Sequence, residues 1–391
     1  MARDKIKNLI ILSGSGSTPS RKNDSYWNSR DIPWLKTDQI GEYKIFDTNE
    51  YISQKAFDEC SMKIYPAGSV SIAMYGEGKT RGSVSMLAAP MATNQACFTF
   101  VIDDKKINSK YVYYYLKNQY DNLRQLSSGV RKNLNADIIK NVEINYPQSR
   151  SQQDAIACVL GSIDDKIALN KKAIISLESI AKTLYDYWFV QFDFPDANGT
   201  PYKTSGGKME WNETLSREIP AGWKVRRIKD VLSVVTGKED ANFATMNGKF
   251  KFFTCSDDVL KCDIAAFDGN AVLLAGNGNF NVKHYTGKFN AYQRTYVLIP
   301  NDNNLYGVLY LSVLRMVDTL TKHSTGSIVK FITKGDVEDI KILEQPNKEL
   351  YSKINVLMDK IEKLQEENER LTGIRDFLLP MLMNGQVTFC Q

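Results

Sequence analysis

Apolar and polar positions along the chain fall into two rhythms, and the same order of rhythms occurs twice. Short runs heavy in Val, Ile, Tyr and Phe, such as "CFTFVI" (97–102) and "YVLIP" (296–300), are bounded by Gly, Asn and Asp. They predict strands joined by loops. Each β-rich part gives way to a helical rhythm. From Ile354, alternating steps of three and four select Ile354, Leu357, Ile361, Leu364, Asn368, Leu371, Arg375 and Leu378; the earlier stretch gives Leu160, Ile163, Ile167, Asn170, Ile174, Leu177, Ala181 and Leu184. This is a heptad seam, and it predicts two long helices that pair. An ordinary amphipathic helix packed on its own domain would not need so long a seam. The single asparagine in each seam, Asn170 and Asn368, costs stability but fixes register and partner. A helix over residues 152–189 would be on the order of 57 Å long, longer than a small domain is wide and suited to act as a spacer.

Other landmarks repeat in the same order. Gly76-x-Gly78 ends an alternating run from Val70, and Gly276-x-Gly278 ends "AVLLA" (271–275). "NQACFTFV" (94–101) answers "YQRTYVLI" (292–299), and "SSGVRKNLNADIIKNVEINYP" (127–147) answers "STGSIVKFITKGDVEDIKILEQP" (324–346). Asp165-Lys166-Ile167, Leu177 and Leu184 map onto Asp359-Lys360-Ile361, Leu371 and Leu378 at one constant offset. Such ordered self-similarity indicates a duplicated unit. The expected fold class is α+β: two pseudo-repeated α/β domains, each followed by a long helix, the helices pairing as an antiparallel coiled coil. The expected divisions are a first domain over 1–147, its helix over 148–190, a connector over 191–217 rich in Pro, Gly, Asn and Ser, a second domain over 218–346 and its helix over 347–391. Within the first domain, residues 109–126 predict a helix with Ser109 as N-cap, its tyrosines facing the core rather than stacking on bases.

The duplication decides how to read "AMYGEGKTRGS" (73–83), whose Gly78-Lys79-Thr80 resembles the end of a phosphate-binding loop. The full motif needs a glycine where Ala73 stands, and the second copy reads "GNGNFNVKHY" (276–285), with neither GK nor a following hydroxyl. The simpler reading is a strand ending in a glycine turn, from which Lys79 and Arg81, or Lys283 and His284, project; a plain solvated hairpin tip is the alternative.

Composition adds limits. The 43% hydrophobic and 24% charged fractions are those of a soluble globular protein. The longest early apolar run, residues 9–12, is too short to span a membrane or to form a secretion signal, so a cytoplasmic protein without membrane attachment is expected. Six cysteines without a Cys-x-x-Cys pair, and only two histidines, argue against a metal site or a disulfide framework. The net charge is +5, while segments 149–190 and 347–391 carry 0 and −1, so the basic excess of +6 lies elsewhere and can face a polyanion.

The duplicated domain-plus-helix plan, the connector "FDFPDANGTPYKTSGGKMEWN" (192–212), the opening "IPAGWKVRRIKDV" (219–231) of the second domain and the ending "LLPMLMNGQV" (378–387) together resemble the specificity subunit of a Type I restriction-modification system. The resemblance covers essentially the whole chain. It implies that each globular part is a target recognition domain reading one half of a bipartite, asymmetric site in double-stranded DNA. It further implies that the helices set the gap and dock two methyltransferase subunits, and that two restriction subunits complete the complex. S-adenosylmethionine, ATP and Mg would belong to those partners and not to this chain, which would do no chemistry. The first domain departs from the pattern in beginning "MARDKIKNL", with Ile6-Lys7 matching Ile228-Lys229 but no Pro-x-Gly-Trp like residues 220–223 before it. It is also the longer domain, mainly in loop region 13–34.

Base reading needs Arg or Lys toward guanine and Asn or Gln toward adenine, whereas phosphates accept from any cation, hydroxyl or backbone N–H. Candidate DNA contacts in the first domain are Arg21, Lys22, Lys79, Arg81, Arg131 and Lys132. Those in the second are Lys238, Lys249, Lys283, His284, Lys288 and Lys330. Gln95 and Gln293 occupy matching positions and serve either as base readers or as structural hydrogen-bonders. Catalytic motifs are poor fits. The nearest string to an Asn/Asp-Pro-Pro-aromatic methyltransferase loop is Asp31-Ile32-Pro33-Trp34, and Pro195-Asp196 is followed by no Asp/Glu-x-Lys through Lys224. The competing non-enzymatic reading is a coiled-coil scaffold whose domains bind another ligand.

Overall fold

The apolar runs form strands covered on both faces, which is why they read as nearly continuous apolar stretches. The computed structural model describes residues 1–76, 78–126, 133–323, 330–346 and 348–387. The chain divides into a first unit, Met1–Leu169 with Asn368–Gln391, and a second, Asn170–Glu367.

In the first unit a five-stranded sheet runs in the spatial order Ile10–Ser15, Cys97–Ile102, Val70–Ala73, Val84–Leu87, Lys44–Ile45. All its neighbours are antiparallel except the last pair. Phe98, Phe100 and Ile102 share a core with Tyr111, Tyr113 and Tyr114 of the helix Ser109–Asn118. Cys97 lies in a separate cluster with Leu35, Tyr65, Ala73 and Leu87. The tyrosines are therefore core residues. Two details differ from the sequence pattern. The N-cap is Asn108, whose Oδ1 accepts from the Tyr111 N–H at 3.0 Å while its amide donates to Asp154 at 2.7 Å; Ser109 is already helical. The helix also breaks at Gln119 (φ −92°, ψ 12°) before a separate helix Tyr120–Gln125.

The second unit carries a six-stranded sheet in the order Val235–Thr236, Thr295–Leu298, Phe267–Ala275, Val282–Ala291, Phe250–Phe253, Leu260–Cys262, packed against the helix Tyr306–His323. The repeat is visible in detail. Ala2–Lys5 pairs with Glu143–Tyr146, and Lys224–Arg227 with Lys341–Glu344, each antiparallel. Each first strand leads into a short helix whose opening isoleucine is wholly buried. Ile6 donates its N–H to Val142 O at 3.0 Å, and Ile228 to Ile340 O at 2.9 Å.

Gly16 and Gly237 are a second matched pair. A Cβ at Gly16 would stand 1.7 Å from Thr93 O, and one at Gly237 would stand 1.8 Å from Ala291 O, so only glycine lets these backbones approach. Gly16→Ala and Gly237→Ala are each expected to lower stability by about 1–3 kcal/mol through overpacking. Urea unfolding of the two variants checks this, and an alanine tolerated without loss would show that the loops part freely.

The long helices are Arg150–Tyr185, continued by a wider turn Asp186–Gln191, and Glu349–Met383, with Pro380 in its final turn. They pair antiparallel within each unit. In the first, Asp164 meets Arg375 while Ile156 and Leu382 line one cavity; in the second, Asn170 donates to Glu367 Oε2 at 2.8 Å and the rings of Phe189 and Tyr351 stack at 6.3 Å. Of the seam residues, Leu160, Ile167, Asn170, Ala181, Ile354 and Ile361 are buried, and Ile163, Ile174, Leu177, Leu184, Leu357, Leu364, Asn368, Leu371, Arg375 and Leu378 are half-buried.

Toward its start the first helix buries a residue beside the predicted seam as well as the seam itself. Asp164, one residue past Ile163, is only 2% exposed. Its carboxylate takes Arg375 Nη1 at 2.7 Å, the Tyr114 hydroxyl at 2.9 Å and, more distantly, Lys117 Nζ at 3.9 Å. The 3.6-residue helix drifts from a 3.5-residue seam, and here it must face both its partner helix and the tyrosine helix.

The second unit uses a different, half-buried carboxylate. Glu362 accepts from the Tyr306 hydroxyl at 2.5 Å and lies 3.0 Å from His284 Nδ1. Burial alone would raise its pKa, but hydrogen bonds from His284 and Tyr306 outweigh this and hold it below the usual carboxylate range. A depressed folded pKa gives stability that is present above the unfolded value and lost as the pH falls through the folded one. The deficit in melting temperature of Glu362→Gln at pH 7 is therefore expected to shrink as the pH is lowered below about 4.3. A deficit constant from pH 7 to 3 would count against an ionised Glu362.

Candidate nucleic-acid interface

In each unit a glycine turn at one end of the sheet sits among loops from distant parts of the chain, and the two copies build this arrangement differently. In the first, the hairpin between Val70–Ala73 and Val84–Leu87 uses left-handed backbone at Gly76 (φ 132°), Gly78 (φ 59°) and Gly82 (φ 85°). Met74 donates its N–H to Ala96 O at 2.8 Å and accepts from Leu134 N at 3.1 Å, which joins the hairpin to two further loops. In the second, Gly276 donates to Arg294 O at 2.7 Å and accepts from Ile332 N at 3.1 Å, while Gly278 donates to Lys330 O at 3.2 Å.

The matched glutamines both pin the loop that follows the matched glycine. Gln95 Oε1 accepts from the Thr18 hydroxyl, and Gln293 Nε2 donates to Asp240 Oδ1 at 2.7 Å. Both are structural hydrogen bonds within the domain.

The basic candidates separate by environment. Lys22, Lys79, Lys238, Lys249, Lys288 and Lys330 are exposed, and Arg81 is half-buried. Arg21 lies with its guanidinium 3.6 Å from the Trp27 ring centroid and 5.3 Å from that of Trp34, and it pairs with Glu50 at 2.5 Å. Burial would raise the Glu50 pKa, but Lys36 and Arg21 hold it low, so the carboxylate stays ionised and fixes the plane of Arg21. Arg131 and Lys132 lie outside the described residues.

The expected outward projection of Lys283 and His284 is corrected. The Lys283 ammonium donates to Ser256 O at 2.6 Å, Asn281 Oδ1 at 2.6 Å and, more weakly, Thr254 O at 3.5 Å, and burial depresses its pKa. The His284 side chain is 5% exposed, held between Tyr306 and Glu362 and packed edge-on against Tyr310 at 4.7 Å. Strand alternation sends neighbouring side chains to opposite faces, so both are enclosed only where both faces are covered. Here the loop 254–257 covers one face and the second long helix the other.

Sequence reading also missed residues that touch the first glycine turn. Arg124 and Tyr120, on the helix Tyr120–Gln125, hydrogen-bond to its carbonyls, and no motif marks them. Among the described residues no group of His, Cys, Asp and Glu is arranged to hold a metal ion, and no helix is long and apolar enough to cross a membrane.

Comparison with known proteins agrees with the duplicated plan. The profile described as Type I restriction modification DNA specificity domain matches residues 5–179 and 220–372. The chain is 28% identical, over 98% of its own length and 92% of the relative's, to the Type I restriction enzyme MjaIX specificity subunit of Methanocaldococcus jannaschii. To the EcoDI specificity subunit of Escherichia coli it is 38% identical over 44% of this chain and 40% of that one. The crystal structure of a Type I restriction-modification S subunit from M. genitalium shares the fold, with a TM-score of 0.60 at 18% identity over 97% of this chain and 95% of that chain. With two profile matches that together cover most of its length, each on one copy of the repeat, the chain belongs to the family of Type I restriction-modification DNA specificity proteins.

Proposed function

We propose that this chain reads a bipartite, asymmetric DNA site, one half with each globular domain, as the specificity subunit of a Type I restriction-modification complex. The observation that carries the reading is the pair of loop clusters: the same sheet-end position in each unit, with glycine turns and exposed lysines, but different loops and different means of support. Two copies of one fold with unlike loops suit two unlike half-sites. Phosphate contact falls to exposed Lys22, Lys79, Lys238, Lys249, Lys288 and Lys330, and base contact to planar groups such as Arg21.

The long helices offer a protein-docking face in each unit. Leu169, Ile374 and Phe377 are exposed in the first, and Ile175, Ile180 and Val356 in the second. Apolar side chains in the open along a helix pair suit two methyltransferase subunits. Two restriction subunits would join through the same assembly. S-adenosylmethionine, ATP and Mg act in those partners, and this chain selects the sequence without catalysis.

The test is expression with a methyltransferase subunit in a methylation-free bacterium, followed by mapping of N6-methyladenine by long-read sequencing. A split motif that disappears without this chain, and changes on one side only when the first domain is swapped, is the expected result. Methylation indifferent to the chain would overturn the reading.

A further inference from the structure

The glycine turn of the first unit would be costly to order unaided, because Gly76, Gly78 and Gly82 all take left-handed backbone and have the most conformational freedom to lose. Its carbonyls are nevertheless gathered inward by one short helix. Arg124 Nη1 donates to Gly78 O at 2.7 Å and to Arg81 O at 3.2 Å. The Tyr120 hydroxyl donates to Lys79 O at 2.8 Å, and Ser83 Oγ donates to the same carbonyl at 2.8 Å. Arg124 Nη1 also meets Tyr120 Oη at 3.0 Å, so the two side chains act as one clamp. Gly82 lets the helix approach: a Cβ there would stand 3.3 Å from Arg124 Cγ and 3.6 Å from Tyr120 O.

We propose that Arg124 and Tyr120 are positioning residues for DNA reading, holding residues 78–82 of the turn in the shape that brings Lys79 and Arg81 to one half-site. The proposal rests on the reading that this loop faces DNA. The clamp turns the negative ends of the peptide dipoles of residues 78, 79 and 81 toward a guanidinium and a hydroxyl, away from an approaching polyanion. It also fixes the loop before binding, which lowers the entropy lost on association. The second unit needs no such arginine, since its glycine turn is held by backbone bonds from Lys330, Ile332 and Arg294. Loss of the clamp therefore affects one half-site only.

The test uses the full chain bound to a methyltransferase subunit. Random-sequence duplexes are selected with the wild type and with Tyr120→Phe, Arg124→Gln and Arg124→Lys; Lys79→Ala and Arg81→Ala serve as controls, and thermal unfolding is followed for each variant. Tyr120→Phe and Arg124→Gln are expected to weaken preference in one half of the motif by roughly ten-fold, with the other half and the salt slope unchanged. Arg124→Lys, which keeps the charge but loses the planar fork, should behave like Arg124→Gln. Two results overturn the proposal while leaving the DNA-facing loop intact: unchanged motifs in the clamp variants when Lys79→Ala or Arg81→Ala alters one half, and equal loss in both halves. A fall in salt slope of about 1 with Arg124→Gln would make Arg124 a phosphate contact instead. If the controls also leave both halves and the salt slope unchanged, the DNA-facing reading of the loop fails, and the clamp with it. Tyr120→Phe removes a single hydroxyl, so its result stands even if Arg124→Gln does not fold.

Discussion

Asp164→Ala is expected to destabilise the first unit by about 1–3 kcal/mol, because it leaves the Tyr114 hydroxyl unpaired and leaves Arg375 with only the exposed Asp376 carboxylate, at 2.8 Å, in a site largely closed to water. Arg375 has 15% of its side chain exposed, and its pKa is raised: burial works against the charge, but the hydrogen bond to Asp164 outweighs it. The reverse change, Arg375→Met, is expected to cost at least as much, because it strands the more deeply buried partner. Asp164 keeps the Tyr114 hydroxyl at 2.9 Å, and Lys117 Nζ stands 3.9 Å away. The double variant Asp164→Leu/Arg375→Met should be more stable than Asp164→Ala alone, since neither buried charge is then stranded. A double-mutant cycle in urea checks this. Additive losses would mean that the pair contributes no coupling and that the helices are held by apolar contacts alone. The pair ties the tyrosine helix of the first domain to both long helices, so its loss is also expected to reach DNA reading by the first domain.

That pair also shows where sequence reading stops. The duplicated plan, the glycine turns and the two long helices are legible because each is written in local periodicity or in self-similarity, and both survive without knowledge of tertiary partners. Ile6 and Ile228 could be matched by eye and occupy equivalent, wholly buried positions. Buried charge is not legible in this way. Asp164 and Glu362 look like solvated helix residues, and only the presence of Tyr114 with Arg375, or of His284 with Tyr306, makes their burial tolerable. The same limit applies to the candidate interface. Lys283 and His284 stand on a strand beside a glycine turn, just as an outward-facing basic pair would, but a loop 27 residues upstream and a helix 78 residues downstream take up their polar atoms. Arg124 was invisible for the opposite reason: its function as a hydrogen-bond donor depends on a hairpin more than forty residues away.

DNA binding is expected to collapse with salt, by about 10³–10⁵-fold between roughly 50 and 200 mM, if the two domains together neutralise about 6–10 phosphates. The log–log slope would then be roughly −5 to −9. The basic excess outside the helical segments supplies this charge, and most of the cations assigned to it are exposed. Individual lysines should divide according to where the structure holds their ammonium groups. Lys79→Ala removes an exposed cation on the glycine turn and should reduce the magnitude of the slope by about 1. Lys283→Met should leave the slope unchanged. Its ammonium is engaged by Ser256 O and Asn281 Oδ1, and Asn281 in turn donates to Cys255 O and Asp257 at 2.9 Å, so removing it loosens the loop 254–257 and lowers stability without releasing a counterion. Fluorescence anisotropy on a labelled duplex across that salt range, beside thermal unfolding of each variant, separates the two. A wild-type slope near zero would mean that these domains do not meet the phosphate backbone. A slope change for Lys283→Met equal to that for Lys79→Ala would move Lys283 from the loop's scaffold to the DNA.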